Sequence, residues 1–233
     1  MNTLEEIKLA LERFSTNECE AVAGWLQDLI DSREQRLRVE EPRPAYAVTP
    51  PPHMTIDEYF EFEEHSPFRH EYVNGAVYAM TGPSVAHVRI TGELLVAFKT
   101  HLRGRPCEAF ATGLQLQIRV DKDEIVYYPD LIVACNREEW GVNFVCNPKL
   151  VAEVLSPSTR NTDGREKAMT YRRVSSIEEY VLLEQNEHKI TVHRRAQGWK
   201  PQVYTGLHAL AEFRSVALSV SLSQIYEGMP PAL

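Results

Sequence analysis

Apolar residues recur with a helical period over the first part of the chain. One stripe comprises Leu4, Ile7, Leu11 and Phe14, and a second comprises Val22, Trp25, Leu26, Leu29 and Ile30. Each stripe opens on a capping-box pattern, in which a Thr or Ser is followed three positions later by a Glu. Residues 1–40 are therefore predicted to form a helical hairpin, and the prolines of residues 41–53 predict a semi-rigid linker after it.

Over residues 54–233 the pattern alternates between helical and strand spacing. Helices are predicted from Thr55 to about Glu64, from Ser84 to about Leu102, from Asp163 to Arg173, and over a last turn or two at "SLSQIYEGM". Strands are predicted at "RHEYVNGAVYAM", with a turn at Asn74-Gly75, and then at "LQLQIRV", "IVYYPDLIVAC", "KLVAEVL", "EEYVLLE", "KITVHRR", "PQVYTG" and "FRSVALSV". This order predicts a mixed central sheet flanked by helices, an α/β or α+β fold.

The composition is typical of one folded domain with an appendage. Of 233 residues, 43% are hydrophobic and 25% are charged, and no apolar run approaches the length of a membrane span. The four cysteines, Cys19, Cys107, Cys135 and Cys146, show no CxxC spacing and are expected to be reduced thiols. We therefore expect a cytoplasmic protein that contacts no membrane.

The net charge of −8 argues against a general nucleic-acid coat protein. The charge is uneven, however, because residues 160–200 carry nine basic and six acidic side chains. Such a segment is either a solvated surface of mixed charge or a local basic face that meets phosphate, and the charge pattern leaves both open.

Two carboxylates stand where the strand pattern predicts burial. Asp130 follows Pro129 before the apolar run "LIVA", and Glu153 lies inside the apolar strand "LVAEVL". A buried carboxylate is costly unless it is protonated, paired or bound to a metal. If the two strands are neighbours, Asp130 and Glu153 converge on a site for Mg²⁺ or Mn²⁺, which bind through oxygen and activate water at a phosphoryl group. The alternatives are a turn residue for Asp130 and an ion pair with an arginine for Glu153.

A lysine close to these carboxylates would complete a catalytic set of two carboxylates and one ammonium group. The position two residues after Glu153, on the same strand face, is Leu155, so no lysine stands there. The next predicted helix offers Lys167, with Tyr171 one turn later on the same helix face. A helix that returns over the sheet would bring Lys167 to the site, whereas the alternative is a solvated helix lysine.

Several segments resemble a known family. "YYPDLIVA", "LVAEVLSPSTRNTD", "REKAMTYRRV" and "IEEYVLL" are similar to the Uma-type family of restriction-endonuclease-like proteins, within the PD-(D/E)XK nuclease superfamily. "HEYVNGAVYAMTGPSVAHVRITGELL" resembles the front segment of that family, and the likeness runs from about Met54 to Met229. The resemblance implies a restriction-endonuclease-like core in which Asp130 and Glu153 are metal ligands and Lys167 is a displaced catalytic lysine.

Glu71 and His87 align with positions of the family and are further candidate catalytic residues. Otherwise Glu71 pairs with Arg69 or with an arginine across the hairpin, and His87 is a hydrogen-bonding residue at a helix start. Two functions of different classes follow. One is an endonuclease that hydrolyses phosphodiester bonds in DNA with Mg²⁺ or Mn²⁺, and the other is a non-catalytic nuclease-like module for binding or assembly.

The helical arm is predicted to assemble the chain into a homodimer or higher homo-oligomer. Two short helices cover only part of each other's apolar stripes, and leaving Trp25, Leu26 and Leu29 in water would favour aggregation. Docking of the arm on its own main domain is the alternative. Light scattering should show fewer subunits when residues 1–41 are deleted, and an intact chain that is monomeric at micromolar concentration would contradict the prediction.

Overall fold

The structure is a computed structural model that describes residues 53–111, 113–156 and 162–229, together with residues 14, 15 and 22. The chain divides into two units, residues 1–49 and 50–233. Apart from residues 14, 15 and 22, the predicted hairpin arm lies outside the described residues, as does the predicted linker apart from residue 53. The predicted role of the arm in assembly therefore stays a prediction. The fold reported below is that of the second unit.

Four α-helices occur in the described part of this unit. They are α1 (Ile56–His65), α2 (Val85–Leu102), α3 (Ala168–Arg173) and α4 (Leu222–Ile225). A π-helical turn, Thr162–Lys167, leads directly into α3. The predicted starts of the first two helices are confirmed, because Thr55 forms a capping box with Glu58, and Ser84 accepts a hydrogen bond from the His87 N–H. None of the described helices is both long and apolar enough to span a membrane.

Two larger sheets and one separate hairpin contain the described strands. The first sheet comprises β1 (His70–Val73), β2 (Ala76–Ala79), β4 (Gln115–Val120), β5 (Asp123–Tyr127) and β7 (Phe144–Val145), in the order β2-β1-β5-β4-β7. The second comprises β3 (Glu108–Ala111), β6 (Leu131–Ala134), β8 (Leu150–Leu155), β9 (Glu179–Glu184), β10 (Lys189–Arg194) and β11 (Pro201–Thr205), in the order β11-β10-β9-β8-β6-β3. The hairpin consists of β12 (Leu210–Phe213) and β13 (Leu218–Ser221).

Two of the predicted strands are broken in the structure. The segment "IVYYPDLIVAC" is not one strand, because β5 ends at Tyr127, β6 begins at Leu131, and the residues between them pass from one sheet to the other. The segment "FRSVALSV" is divided by a 3₁₀ turn, Arg214–Val216, after which Ala217 adopts a left-handed conformation (φ 54°). The predicted central sheet is therefore two sheets. Each contains a parallel pair among antiparallel ones, and the predicted mixed α/β fold class is confirmed.

The centre of the second sheet is buried on both faces. Every residue of β8 and β9, which pair in parallel, is buried. Successive residues of a strand point to opposite faces. Leu150, Ala152 and Val154 accordingly pack in the core cluster that contains α2, whereas Val151 and Leu155 pack in the cluster that contains α3. By this alternation Glu153 lies on the face that α3 covers.

The structure joins Cys107 and Cys135 in a disulfide. Cys107 directly precedes β3 and Cys135 directly follows β6, and the antiparallel register pairs Glu108 with Ala134. The prediction of reduced thiols is wrong for this pair, because the strand register that places them opposite each other cannot be deduced from their spacing. Cys146 is a free thiol, and Cys19 lies outside the described residues.

A buried ion pair links β9 to β10 and to the turn between β12 and β13. The Arg194 Nε donates to the Glu179 Oε1 at 2.7 Å, and both side chains are almost fully buried. The other oxygen, Glu179 Oε2, accepts from the N–H of Ser215 at 3.0 Å and from its hydroxyl at 2.6 Å. Every acceptor of this carboxylate is thus used inside the protein.

We predict that Glu179→Gln lowers the free energy of unfolding by roughly 3–5 kcal/mol, because Arg194 would keep its charge in the interior without a counter-charge. Urea denaturation measures this change. The control is Glu178→Gln at the neighbouring position, where a half-exposed carboxylate pairs with Lys149 at 3.3 Å and contributes about 0–1 kcal/mol. Equal losses in the two variants would contradict the prediction.

Candidate active site

The crossing between the two sheets places Asp130 beside β8. The antiparallel register sets Leu131 opposite Ala152, so Asp130, which directly precedes β6, lies opposite Glu153. Its Oδ2 accepts a hydrogen bond from the Val154 N–H at 2.7 Å, and its own N–H points at the Glu153 Oε2 at 3.4 Å. The structure thus brings Asp130 and Glu153 together.

His87 meets Asp130 from the first turn of α2. Its Nε2 lies 2.7 Å from the Asp130 Oδ1, and both side chains are mostly buried, at 15% and 17% exposure. The Ser84 hydroxyl caps the same turn by accepting from the His87 N–H at 3.1 Å. The cap therefore fixes the backbone from which the imidazole reaches the carboxylate, and His87 is more than a residue at a helix start.

Lys167 lies among three carboxylates rather than in solvent. Its Nζ is 2.8 Å from the Glu71 Oε1, 3.2 Å from the Glu153 Oε1 and 3.2 Å from the Asp163 Oδ1. The π-helical turn returns over the sheet and directs the lysine inward, so that its side chain is only 7% exposed. Among the described ion pairs, the partner of Glu71 is this lysine and not an arginine.

Aromatic side chains close the site around these charges. The Tyr171 hydroxyl donates to the Glu153 Oε1 at 3.2 Å, and burial raises the pKa of Tyr171 well above its usual value, which keeps it a neutral donor. The Lys167 Nζ lies 5.1 Å from the centre of the Tyr127 ring. Because the Lys167 side chain is almost fully buried beside this ring, little water screens its attraction to the carboxylates.

Burial and the neighbouring charges set the protonation of the site. Burial raises the pKa of the Glu153 carboxyl well above its usual value, the Lys167 ammonium lowers it, and Asp163, Asp130 and Glu71 raise it. Burial lowers the pKa of Lys167, but the three surrounding carboxylates raise it by more, so that it ends well above its usual value. Lys167 is therefore positively charged at neutral pH.

Asp163 is the member of the site that the sequence pattern marks only as a helix start. It lies four positions before Lys167, and this spacing is the signal that could have identified it. Its carbonyl oxygen also accepts from the Tyr180 hydroxyl at 2.8 Å, which anchors the turn to β9. We define the acid–lysine cluster as Glu71, Asp130, Glu153, Asp163 and Lys167.

The donor chemistry of the acid–lysine cluster suits a hard cation. Asp130 and Glu153 present carboxylate oxygens, and Mg²⁺ commonly binds through one or two carboxylates while keeping several waters. The described residues contain no group of three or more His, Cys, Asp or Glu side chains arranged to hold a metal ion. The Glu153 Oε1 is engaged by Lys167 and Tyr171, so the Glu153 Oε2 is the oxygen that faces Asp130. The two residues thus fit the smaller ligand set that Mg²⁺ accepts.

These features define a mixed α/β protein with an acid–lysine cluster where its two sheets meet. Residues 56–223 match the profile of the Uma2 family, described as "Putative restriction endonuclease". The chain belongs to the Uma2 family, which confirms the resemblance found in the sequence and supports a nuclease-like function.

Relatives and a solved structure agree with this placement. Two uncharacterized proteins of Synechocystis sp. (strain ATCC 27184 / PCC 6803 / Kazusa) are similar to the chain. One is 33% identical over 183 residues, covering 77% of this chain and 95% of the relative, and the other is 28% identical over 165 residues, covering 69% and 92%. The crystal structure of "a putative nuclease belonging to DUF820" from Anabaena variabilis ATCC 29413 superposes with a TM-score of 0.60 at 20% identity, over 74% of this chain and 97% of that one. This last likeness establishes a shared fold.

We predict that Lys167→Met destabilises the protein more at pH 8 than at pH 5. Removing the ammonium leaves Glu71, Glu153 and Asp163 without their counter-charge, at a cost of roughly 3–5 kcal/mol. Because Lys167 lowers the pKa of Glu153, its loss raises that pKa further. A carboxyl whose pKa is raised by folding stabilises the folded state at low pH, and this contribution is lost as the pH rises through the folded-state pKa.

Urea denaturation at the two pH values measures the effect. Lys200→Met is the control, because Lys200 is exposed in the turn between β10 and β11, and its loss should be small at both pH values. A Lys167→Met variant that is as stable as the unmodified protein at pH 8 would show that the ammonium does not hold the acid–lysine cluster.

Proposed function

We propose that the protein is a metal-dependent endonuclease of the PD-(D/E)XK type that hydrolyses phosphodiester bonds in DNA. The observation that carries the proposal is the convergence of Asp130, Glu153 and Lys167 at the point where the two sheets meet. Paired carboxylates with an adjacent ammonium group suit the hydrolysis of a phosphodiester, in which negative charge builds up on the phosphoryl oxygens. Membership in the Uma2 family supports the same reaction class.

Asp130 and Glu153 are the proposed ligands of Mg²⁺ or Mn²⁺. The bound ion supplies Lewis acidity toward the phosphoryl oxygens and toward water. Lys167 is protonated at neutral pH and supplies a fixed positive charge beside the phosphate. Because it holds its proton firmly, Lys167 acts electrostatically and does not accept a proton from water.

Glu71 and His87 act through the residues they contact. Glu71 holds the Lys167 ammonium at 2.8 Å and also faces the Tyr128 N–H at 3.4 Å, which ties the lysine to the sheet crossing. His87 holds one oxygen of Asp130 at 2.7 Å and the Val154 N–H holds the other at 2.7 Å, so the orientation of that carboxylate is fixed. Their proposed role is to position the catalytic groups.

DNA is the proposed partner because phosphate can meet positive charge next to the cluster. Arg165 and Arg172 are exposed on the π-helical turn and α3, the same segment that carries Lys167. Contacts of this kind bind the nucleic-acid backbone without reading its sequence. Two copies of the chain, as the apolar stripes of residues 1–40 predict, would match the two strands of a duplex.

A non-catalytic binding or assembly module is the second candidate. Lys167 and Tyr171 already satisfy one oxygen of Glu153 from within the protein, and the described residues offer no three-ligand metal group. In this role the acid–lysine cluster would stabilise the fold, and the chain would bind without cleaving.

We predict that Glu153→Gln reduces DNA cleavage in Mg²⁺ or Mn²⁺ by about 100-fold or more. The metal would lose a charged ligand, and the negative charge that develops on the phosphoryl oxygens would be less well stabilised. Gel assays of linear DNA measure the rate, and a chelator should stop cleavage by the unmodified protein. The matched control is Glu178→Gln, a carboxylate on the surface beside β9.

Thermal unfolding separates loss of activity from loss of folding in this experiment. Undiminished cleavage by a folded Glu153→Gln variant would assign the activity to other residues. An unmodified protein that cleaves neither single-stranded nor duplex DNA with either ion would favour the binding module.

A further inference from the structure

A cleft of about 640 Å³ opens beside the candidate active site, and its walls are separate from the acid–lysine cluster. Its lining includes Phe68, Arg69, Gln117, Tyr128 and Asn143, and we refer to it as the amide cleft. The volume lies within the range of about 300–1,000 Å³ that is typical of small-ligand sites. The cleft is therefore large enough for one flat heterocycle and its sugar.

The position of Tyr128 links the amide cleft to the site of reaction. A single residue separates Tyr128 from Asp130, so their Cα atoms are at most about 7 Å apart. This span corresponds to one or two nucleotides at a rise of about 3.4 Å each. The Tyr128 N–H and the Lys167 Nζ also share one acceptor, the Glu71 Oε1. A strand whose phosphate lies at Asp130 and Glu153 would thus carry its neighbouring base to the cleft.

Flat surfaces suited to stacking line the amide cleft. The Arg69 guanidinium carbon lies 5.0 Å from the centre of the Tyr128 ring, and its Nη1 donates to the Gly113 carbonyl oxygen at 2.8 Å. The neighbouring Phe68 is 39% exposed. Unstacked bases bind on aromatic rings and on guanidinium planes of this kind.

Amide side chains provide groups that can read a base edge. Gln117 donates to the Gln115 Oε1 at 3.2 Å, Gln115 donates to the Tyr128 hydroxyl at 2.9 Å, and that hydroxyl donates to the Glu63 Oε1 at 2.8 Å. Among hydrogen bonds between described residues, the side-chain oxygen Oε1 of Gln117 and the side-chain amide of the exposed Asn143 form none. Each of these carboxamides can pair with the edge of a base, as Asn and Gln commonly do with adenine.

The charge of the amide cleft favours a neutral ligand over a phosphate. Its lining contains two carboxylates, Glu63 and Glu64, and a single guanidinium, Arg69. Glu63 lies 2.9 Å from the His70 Nδ1 and also accepts from Tyr128, so its charge is held within the wall. A phosphate would meet no excess of positive charge here, whereas a base needs only stacking surfaces and hydrogen-bonding groups.

We infer that the amide cleft binds one nucleobase of the DNA strand, next to the phosphate placed at Asp130 and Glu153. The base stacks against the exposed Phe68 ring and the Arg69 guanidinium, which itself lies over the buried Tyr128 ring, and its edge pairs with Gln117 and Asn143. This inference rests on the proposed nuclease function and adds to it a subsite that contacts a base rather than the backbone.

Fluorescence anisotropy in Ca²⁺ tests the inference without requiring cleavage. The probes are a labelled single strand of eight deoxyadenosines and a strand of equal length in which every residue is abasic. The full chain should bind the adenine strand about tenfold more tightly, the effect of losing a stacked base. The double variant Gln117→Ala, Asn143→Ala should lose most of this difference, while Gln197→Ala should keep it, because Gln197 is an exposed amide outside the cleft.

The outcomes separate the amide cleft from the proposed function. Equal binding of the two strands by the unmodified chain, binding of neither, or a base-dependent difference that persists in a folded double variant would each overturn the inference. A difference that is lost in the double variant, in a protein that cleaves nothing with Mg²⁺ or Mn²⁺, would retain the cleft and reject the nuclease. Cleavage of DNA together with equal binding of the two strands would support the nuclease and reject the base-binding cleft.

Discussion

The ammonium group of Lys167 is the contact on which the site and much of the surrounding fold depend. It meets carboxylates from three separate elements, Glu71 on β1, Glu153 on β8 and Asp163 in the π-helical turn. Glu153 stands in a strand buried on both faces, where a carboxylate without a counter-charge would be strongly unfavourable. One buried cation thus connects both sheets and the covering helical segment. A group fixed in this way is already oriented before any ligand arrives.

The outline of the fold could be predicted because its long periodic segments carry local signals. The capped starts of α1 and α2 and the Asn74-Gly75 turn follow from side-chain chemistry within a few residues. The break after Tyr127 could not be seen, because the apolar pattern continues through "YYPDL" although the chain changes sheets there. The left-handed residue Ala217 carries no sequence signal of any kind, since its side chain normally disfavours that conformation.

The candidate site shows the same division between local and long-range information. Glu153 was identifiable from the conflict between an ionisable side chain and an apolar strand, and Asp130 from its position after a proline. The strand order and the π-helical turn determine which carboxylates contact Lys167. Neither of these two features can be deduced from the spacing of residues along the sequence. Asp163 could be placed near Lys167 on one helix, but the hydrogen bond that ties its backbone carbonyl to the Tyr180 hydroxyl on β9 is a long-range contact. The sequence could therefore supply the chemical groups, whereas the tertiary structure determines their contacts.

A cluster of buried charges is not the only means of stabilising this part of the fold. Buried ion networks can often be replaced by apolar residues with little loss or even a gain in stability. The Glu179–Arg194 pair, whose acceptors are all used internally, is closed off from solvent. The acid–lysine cluster differs, because burial decreases steadily from Glu153 at 4% exposure to Asp130 at 17%. Its most deeply buried members hold the charge in place while Asp130 stays partly accessible, and this gradient is compatible with the proposed binding of a cation and a phosphate.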